Sequence, residues 1–163
     1  MILDEWAMAI QLGRDYAFHP KTTYVGRPGI GDGCLVCTRR YALMIPTRIN
    51  EFIGSLRVIK KRFAFGERPV AEALGEFLAA PDTTIDDLET FITHLAEAAE
   101  ETVFVDIGLM QRLKVGTGLL TKGLYFNTKP AGLGGWIGFA LKGKEHLPAF
   151  VDLYGNSQIL VKR

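Results

Sequence analysis

Gly33-Cys34-Leu35-Val36-Cys37-Thr38-Arg39-Arg40-Tyr41-Ala42-Leu43-Met44-Ile45-Pro46 sets two apolar runs on either side of an arginine pair, and Pro46 closes the second. Each run is too short for a helix that could stand alone in water. A polar turn between two such runs reads as an antiparallel hairpin. Upstream, Thr22-Thr23-Tyr24-Val25 is β-branched and aromatic, which suits a pleated, half-buried surface. It is joined to the hairpin by the glycine-dense Gly26-Arg27-Pro28-Gly29-Ile30-Gly31-Asp32-Gly33, a turn. Before it, His19-Pro20 breaks the pattern. Leu3, Trp6, Ala7 and Ile10 predict a short amphipathic helix over 2–12, stopped at Gly13.

Downstream the period changes from two to that of a helix. From Asn50, a good N-cap, Phe52, Leu56, Ile59 and Phe63 recur at helical intervals, with Arg57, Lys60, Lys61 and Arg62 on other faces. Pro69 suits a first helical turn before the stripe Val70, Ala73, Leu74, Phe77 and Leu78, and Pro81 ends that helix. Thr83 or Thr84 then caps a longer helix with Asp86 and Asp87 in its first turn, where the macrodipole favours anions; Ile85, Leu88, Phe91, Ile92 and Leu95 face inward. Strand-like segments return at 103–106, 109–115 and Leu124-Tyr125-Phe126, and again at Trp136–Leu141, where alternation places Trp136, Gly138 and Ala140 on one face. Leu147, Phe150, Val151 and Tyr154 predict a short closing helix stopped by Gly155, and Ile159-Leu160-Val161 an edge strand. Strands grouped apart from helices predict an α+β fold with an antiparallel sheet built from hairpins, an acidic helical segment at about 69–101 and a short C-terminal helix. A single domain over 1–163 is expected, with 50–101 as a possible helical insertion.

The stretch 33–46 resembles the hairpin of bacterial pleckstrin-homology-like and GRAM-like domains, in which a strand ends in Thr, turns on basic residues and resumes apolar. Val105-Asp106-Ile107 is similar to a strand of theirs that carries an Asp-Ile pair. Gly138-Phe139-Ala140-Leu141 resembles a late strand, and Glu145 to Tyr154 a closing helix. Together these cover less than half of the chain. The resemblance implies a binding scaffold, with the acidic helices inserted, and carries over no catalytic residue.

With 163 residues, 48% of them hydrophobic and 23% charged, the chain can bury a core of its own and is not disordered. Acidic residues stand where a secretory signal would be basic, no apolar run approaches the ~18 residues of a membrane span, and only Cys34 and Cys37 are present. A cytoplasmic protein is expected. The net charge of +1 conceals a segregation: residues 21–68 hold ten positive and three negative side chains, whereas 69–106 hold none and ten. Such blocks either pair internally or face partners.

Cys34-Leu35-Val36-Cys37 has the spacing of zinc ribbons and dithiol centres. There is no second C-x-x-C, and in a strand the two thiols would point to opposite faces, so two small buried side chains are expected. Gly29-x-Gly31-x-Gly33 lacks the strand-to-helix setting of a dinucleotide fingerprint. His19, His94 and His146 fall in no nucleophile or metal motif. No catalytic, metal or cofactor site is expected.

The leading expectation is a non-enzymatic interaction module that engages another protein or itself through a charged surface or sheet edge; nucleic acid is disfavoured for lack of its motifs. A second reading is a small-ligand pocket or enzyme where the glycine turns 29–33, 116–118 and 132–135 share one mouth, with Arg39, Arg40, Arg112, Tyr125 and Trp136 as candidate binding residues. A third is peripheral contact with an anionic membrane through Arg57, Lys60, Lys61 and Arg62.

Overall fold

The computed structural model describes residues 9–25, 31–116, 122–127, 136–155 and 161–162. Seven antiparallel strands run β1 (Tyr16–Tyr24), β2 (Asp32–Thr38), β3 (Tyr41–Pro46), β4 (Val103–Asp106), β5 (Arg112–Gly116), β6 (Gly123–Asn127) and β7 (Trp136–Leu141). Their order across the sheet is β4-β3-β2-β1-β7-β6-β5, and the two-residue β8 (Val161–Lys162) lies parallel beside β5. Helices α1 (Gly54–Arg62), α2 (Val70–Ala79) and α3 (Ile85–Ala98) all fall between β3 and β4, which pair directly with each other. Helix α4 (Leu147–Tyr154) follows β7. This is the expected α+β class, with the acidic helices and the short C-terminal helix in place.

The hairpin at 33–46 sits at the centre of the packing because both of its faces are covered. Cys34, Val36, Leu43 and Ile45 face one apolar cluster with Leu56, Ile59, Leu74, Leu88, Phe91 and Ile92 of α1–α3. Leu35, Cys37, Ala42 and Met44 face a second cluster with Leu124, Phe126, Phe139, Phe150 and Leu153, the last two from α4. Burying each such side chain stabilises the fold by roughly 1.5–3 kcal/mol, so a strand buried on both sides reads as a continuous apolar run rather than an alternation.

His19-Pro20 is not the break before a strand at Thr22 that the sequence suggests. Strand β1 passes through it, and the register against β2 slips by one residue between His19↔Leu35 and Thr22↔Gly33. A bulge accommodates the proline, which has no N–H to give to the ladder. The slip also changes which parity faces inward, so that Ala17, His19 and Thr22 are all buried. His19 holds the bulge: its Nδ1 accepts the Lys21 amide at 3.0 Å, and its Nε2 lies 2.9 Å from the Lys142 carbonyl, just beyond β7.

Two further expectations need adjustment. Asn50 does not cap α1: its Oδ1 accepts the Phe52 amide at 3.0 Å in a local turn, and the helix starts at Gly54 behind Ile53. Asn side chains compete for nearby backbone in this way. The predicted helix over 2–12 falls mostly outside the described residues, and 9–12 within them are not helical.

Helix α3 carries a complete capping box: Thr84 Oγ1 accepts the Asp87 amide while the Asp87 carboxylate accepts that of Thr84, both at 3.1 Å. Helix α1 ends in a Schellman pattern, with the Phe65 amide bonded to the Lys60 carbonyl and the Ala64 amide to that of Lys61. Ala64 takes the left-handed φ of 58° this requires. Phe65 thereby turns inward to Phe63, Phe77 and Phe91, with ring centroids 5.2–6.3 Å apart.

Candidate functional site

The sheet's topology separates the glycine turns. Strand β7 runs antiparallel to β1, so the β1–β2 and β6–β7 connections leave from one end of the sheet and the β5–β6 connection from the other. Three turns around one mouth do not assemble. Residues 26–30, 117–121 and 128–135 themselves lie outside the described residues.

Arg112, Tyr125 and Trp136 do lie on three adjacent strands with matching parity, since Asn127 is the partner of both Arg112 and Trp136. Tyr125 rests across Gly123 and Gly138, where an added Cβ would meet its hydroxyl at 2.7 Å and its ring at 2.8 Å respectively. Small residues here make room for an aromatic ring that packs on the protein itself. The Trp136 side chain is outside the description. Arg39 and Arg40 sit apart, on the β2–β3 turn. Arg39 donates to the Arg14 carbonyl at 3.1 Å, while Arg40 lies over the Tyr41 ring at 5.0 Å and 3.7 Å from Glu89.

Cys34 and Cys37 are unpaired, buried and on opposite faces of β2. Burial pushes both thiols up to about 12, far from the thiolate form that metal binding or nucleophilic attack needs. Among the described residues no group of three His, Cys, Asp or Glu side chains is placed to hold a metal ion. None of their helices is long and apolar enough to cross a membrane.

The basic helix divides into engaged and available cations. Lys60 is buried, with Nζ 3.0 Å from Glu51 Oε2, so it is not part of the outer face. Arg62 Nη1 bonds His94 Nδ1 at 2.8 Å, and its guanidinium lies over Phe63 at 5.7 Å. Lys60, Lys61 and Arg62 also suit the negative end of the helix dipole. Arg57 and Lys61 remain exposed and line an open cleft of about 770 Å³ with Phe52, Gly66, Glu67 and Pro69.

Phe52, on the cleft, is 79% exposed, and Val58, elsewhere, on α1, is 66% exposed. Helical spacing predicts Phe52 as a core residue; because the helix begins after it, it points outward instead, with Arg57 over its ring at 5.9 Å. Leu56 and Ile59 take the buried stripe. The docking candidate missed by periodicity is therefore Phe52, whose signal was the Asn50 turn that displaces it from the helix.

Internal charge pairing is limited. Of the acidic block, Glu89 meets Arg40 and Glu76 meets Arg68, whereas Glu72, Asp82, Asp86, Glu97, Glu100 and Glu101 are exposed. Ser55 Oγ donates to the Ala98 carbonyl at 2.7 Å, which sets the start of α1 against the end of α3. Glu97, Glu100 and Glu101 are exposed at and just beyond the end of α3, while Ser55 and Arg57 share the first turn of α1 and Lys61 lies in its last. No protein-family model, curated protein or solved structure matches the chain.

Proposed function

We propose that the chain is a non-enzymatic protein-interaction module that docks through the outer surface of α1. The observation that carries this reading is the exposure of Phe52 on one cleft with two cations in no ion pair among the described residues, Arg57 over its ring and Lys61, and of Val58 on the helix that carries them. Grouped large apolar side chains rimmed by charge mark association surfaces, whereas scattered single ones need no explanation. Kinship with pleckstrin-homology-like binding scaffolds belongs to the same proposal. Its support is the strand order β4-β3-β2-β1-β7-β6-β5 with α4 packed on one face, residues 47–102 being an excursion from that sheet. Two unpaired buried cysteines support a reducing, cytoplasmic setting.

Affinity capture from native cells, comparing the wild type with a Phe52→Ser/Arg57→Glu/Lys61→Glu variant, tests the reading. A near-stoichiometric protein released by moderate salt, and absent from a variant with unchanged circular dichroism, is the expected result. Identical capture by both proteins would contradict it.

A further inference from the structure

We propose that the cleft lined by Phe52, Arg57 and Lys61 takes an acidic peptide segment of a partner protein, one in which an aspartate or glutamate stands beside a large apolar side chain. The inference rests on the docking reading above and adds the chemistry of the partner.

The cleft carries unspent groups of two kinds. Arg57 and Lys61 stand four residues apart on α1, so they are neighbours on one helix face, and both line the cleft. Like charges at this spacing repel, and among the described residues no carboxylate lies within ion-pair distance of either. Two carboxylates belong to the lining. Glu51 is committed to the Lys60 ammonium and the Val70 amide, each at 3.0 Å, and so cancels Lys60 rather than the other two cations. Glu67 is exposed and reduces the positive excess of the lining, three cations against two carboxylates, without removing it. The second kind is apolar: Phe52 is 79% exposed, with only the Arg57 guanidinium over its ring at 5.9 Å. Val58 is not part of the lining and takes no part in the proposal.

These two demands lie on one concave surface, and an occupant has to meet both. A carboxylate placed between Arg57 and Lys61 relieves their repulsion, and an adjacent apolar side chain takes Phe52 out of water. A basic segment would be repelled by both cations, a purely apolar one would leave them unanswered, and a small anion alone would leave Phe52 exposed. The volume of about 770 Å³ has room for a few side chains of an extended chain. An anionic membrane fits less well. Basic patches that hold such membranes gather about four to eight cations, whereas Lys60 is buried on Glu51 and Arg62 is bonded to His94 outside the lining.

Panning a random peptide library displayed on phage against the full chain tests this, with the selected peptides resynthesised and titrated by fluorescence anisotropy. Peptides that pair Asp or Glu with Leu, Phe or a similar residue are the expected selection. Their affinity should fall about tenfold or more in Arg57→Glu/Lys61→Glu and in Phe52→Ser, and stay unchanged in Val58→Ser. Replacing the peptide's acids by lysine should restore binding to Arg57→Glu/Lys61→Glu while abolishing it for the wild type, an exchange that a folding defect could not produce. A library that yields no acidic peptide dependent on Arg57 and Lys61 would overturn the proposal. Neutral or basic peptides that still depend on Phe52 would do so while leaving the interaction module standing, with a partner of different chemistry. Peptides that bind the wild type and both cleft variants equally would remove the docking reading as well. Sedimentation with anionic vesicles, or self-association lost in the same variants, in place of peptide binding would give the cleft to a membrane or to a second copy.

Discussion

The Lys60 ammonium lies 3.0 Å from Oε2 of Glu51, and Oε1 of the same carboxylate accepts the Val70 amide at 3.0 Å. One carboxylate therefore joins the chain before α1, the buried lysine of α1 and the first turn of α2. Lys60 and Lys61 are neighbours in sequence with opposite employment: the first holds the wall of the cleft and the second faces outward from it.

Lys60→Met should lower stability by about 1–3 kcal/mol, since the half-buried Glu51 loses its cation. Lys61→Met, on the exposed face, should stay within about 0.5 kcal/mol of the wild type. Urea unfolding midpoints distinguish these outcomes. Equal effects would mean that Lys60 is solvated.

Ala64 occupies the left-handed position that ends α1, where a Cβ is penalised by about 1 kcal/mol and glycine is the usual occupant. Ala64→Gly is expected to raise the melting temperature by about 2–4 °C despite the greater freedom it gives the unfolded chain. A lower melting temperature would show that the Schellman turn is not formed.

His19 is 1% exposed and, as a neutral ring protonated on Nε2, satisfies both of its hydrogen bonds. Burial lowers its pKa below the ordinary imidazole value; the Lys142 carbonyl opposes this, and the His146 ring 4.8 Å away adds to the lowering. The unfolded chain therefore takes up this proton first. Stability is unaffected well above pH ~6.5 and falls as pH drops from there toward the depressed folded value. Unfolding free energies between pH 7.5 and 5.5 should decline in the wild type and decline less in His19→Gln. The same slope in both proteins would assign the pH dependence to other groups.

With their thiols pushed up to about 12 and at most 2% exposed, Cys34 and Cys37 should resist alkylation at pH 8 in the native protein and react together once urea unfolds it. Mass spectrometry after a timed iodoacetamide pulse reads this directly. Rapid modification of either thiol in the folded protein would contradict the burial of β2.

Where local signals agreed with tertiary demand, the sequence foretold the structure. Helix α3 matches the predicted cap, first-turn acids and inward stripe, and α4 runs from Leu147 to Tyr154 between its Pro148 and Gly155 signals. Strands β2, β3 and β7 also stand where the apolar runs put them. The failures share a cause. At His19-Pro20 a bulge absorbed a residue that local rules treat as a break, and at Asn50 a side-chain turn postponed a helix that periodicity alone would have started. The candidate surface was legible as a charge block, but the block could not reveal that Lys60 is spent on Glu51, nor that the helix start would leave Phe52 outside. Those facts depend on neighbours distant from the motif and on which face each residue finally takes.

Site-specific photo-crosslinking tests the central claim most directly, because Cys34 and Cys37 are buried and would not compete for the label. A benzophenone attached through Phe52→Cys should crosslink one protein from native-cell extract, in a salt-dependent manner. The same label at Lys114→Cys, exposed on β5, should not. Crosslinking at position 52 alone, suppressed by high salt, is the predicted result; equal crosslinking at both positions, or none at 52, would contradict the account.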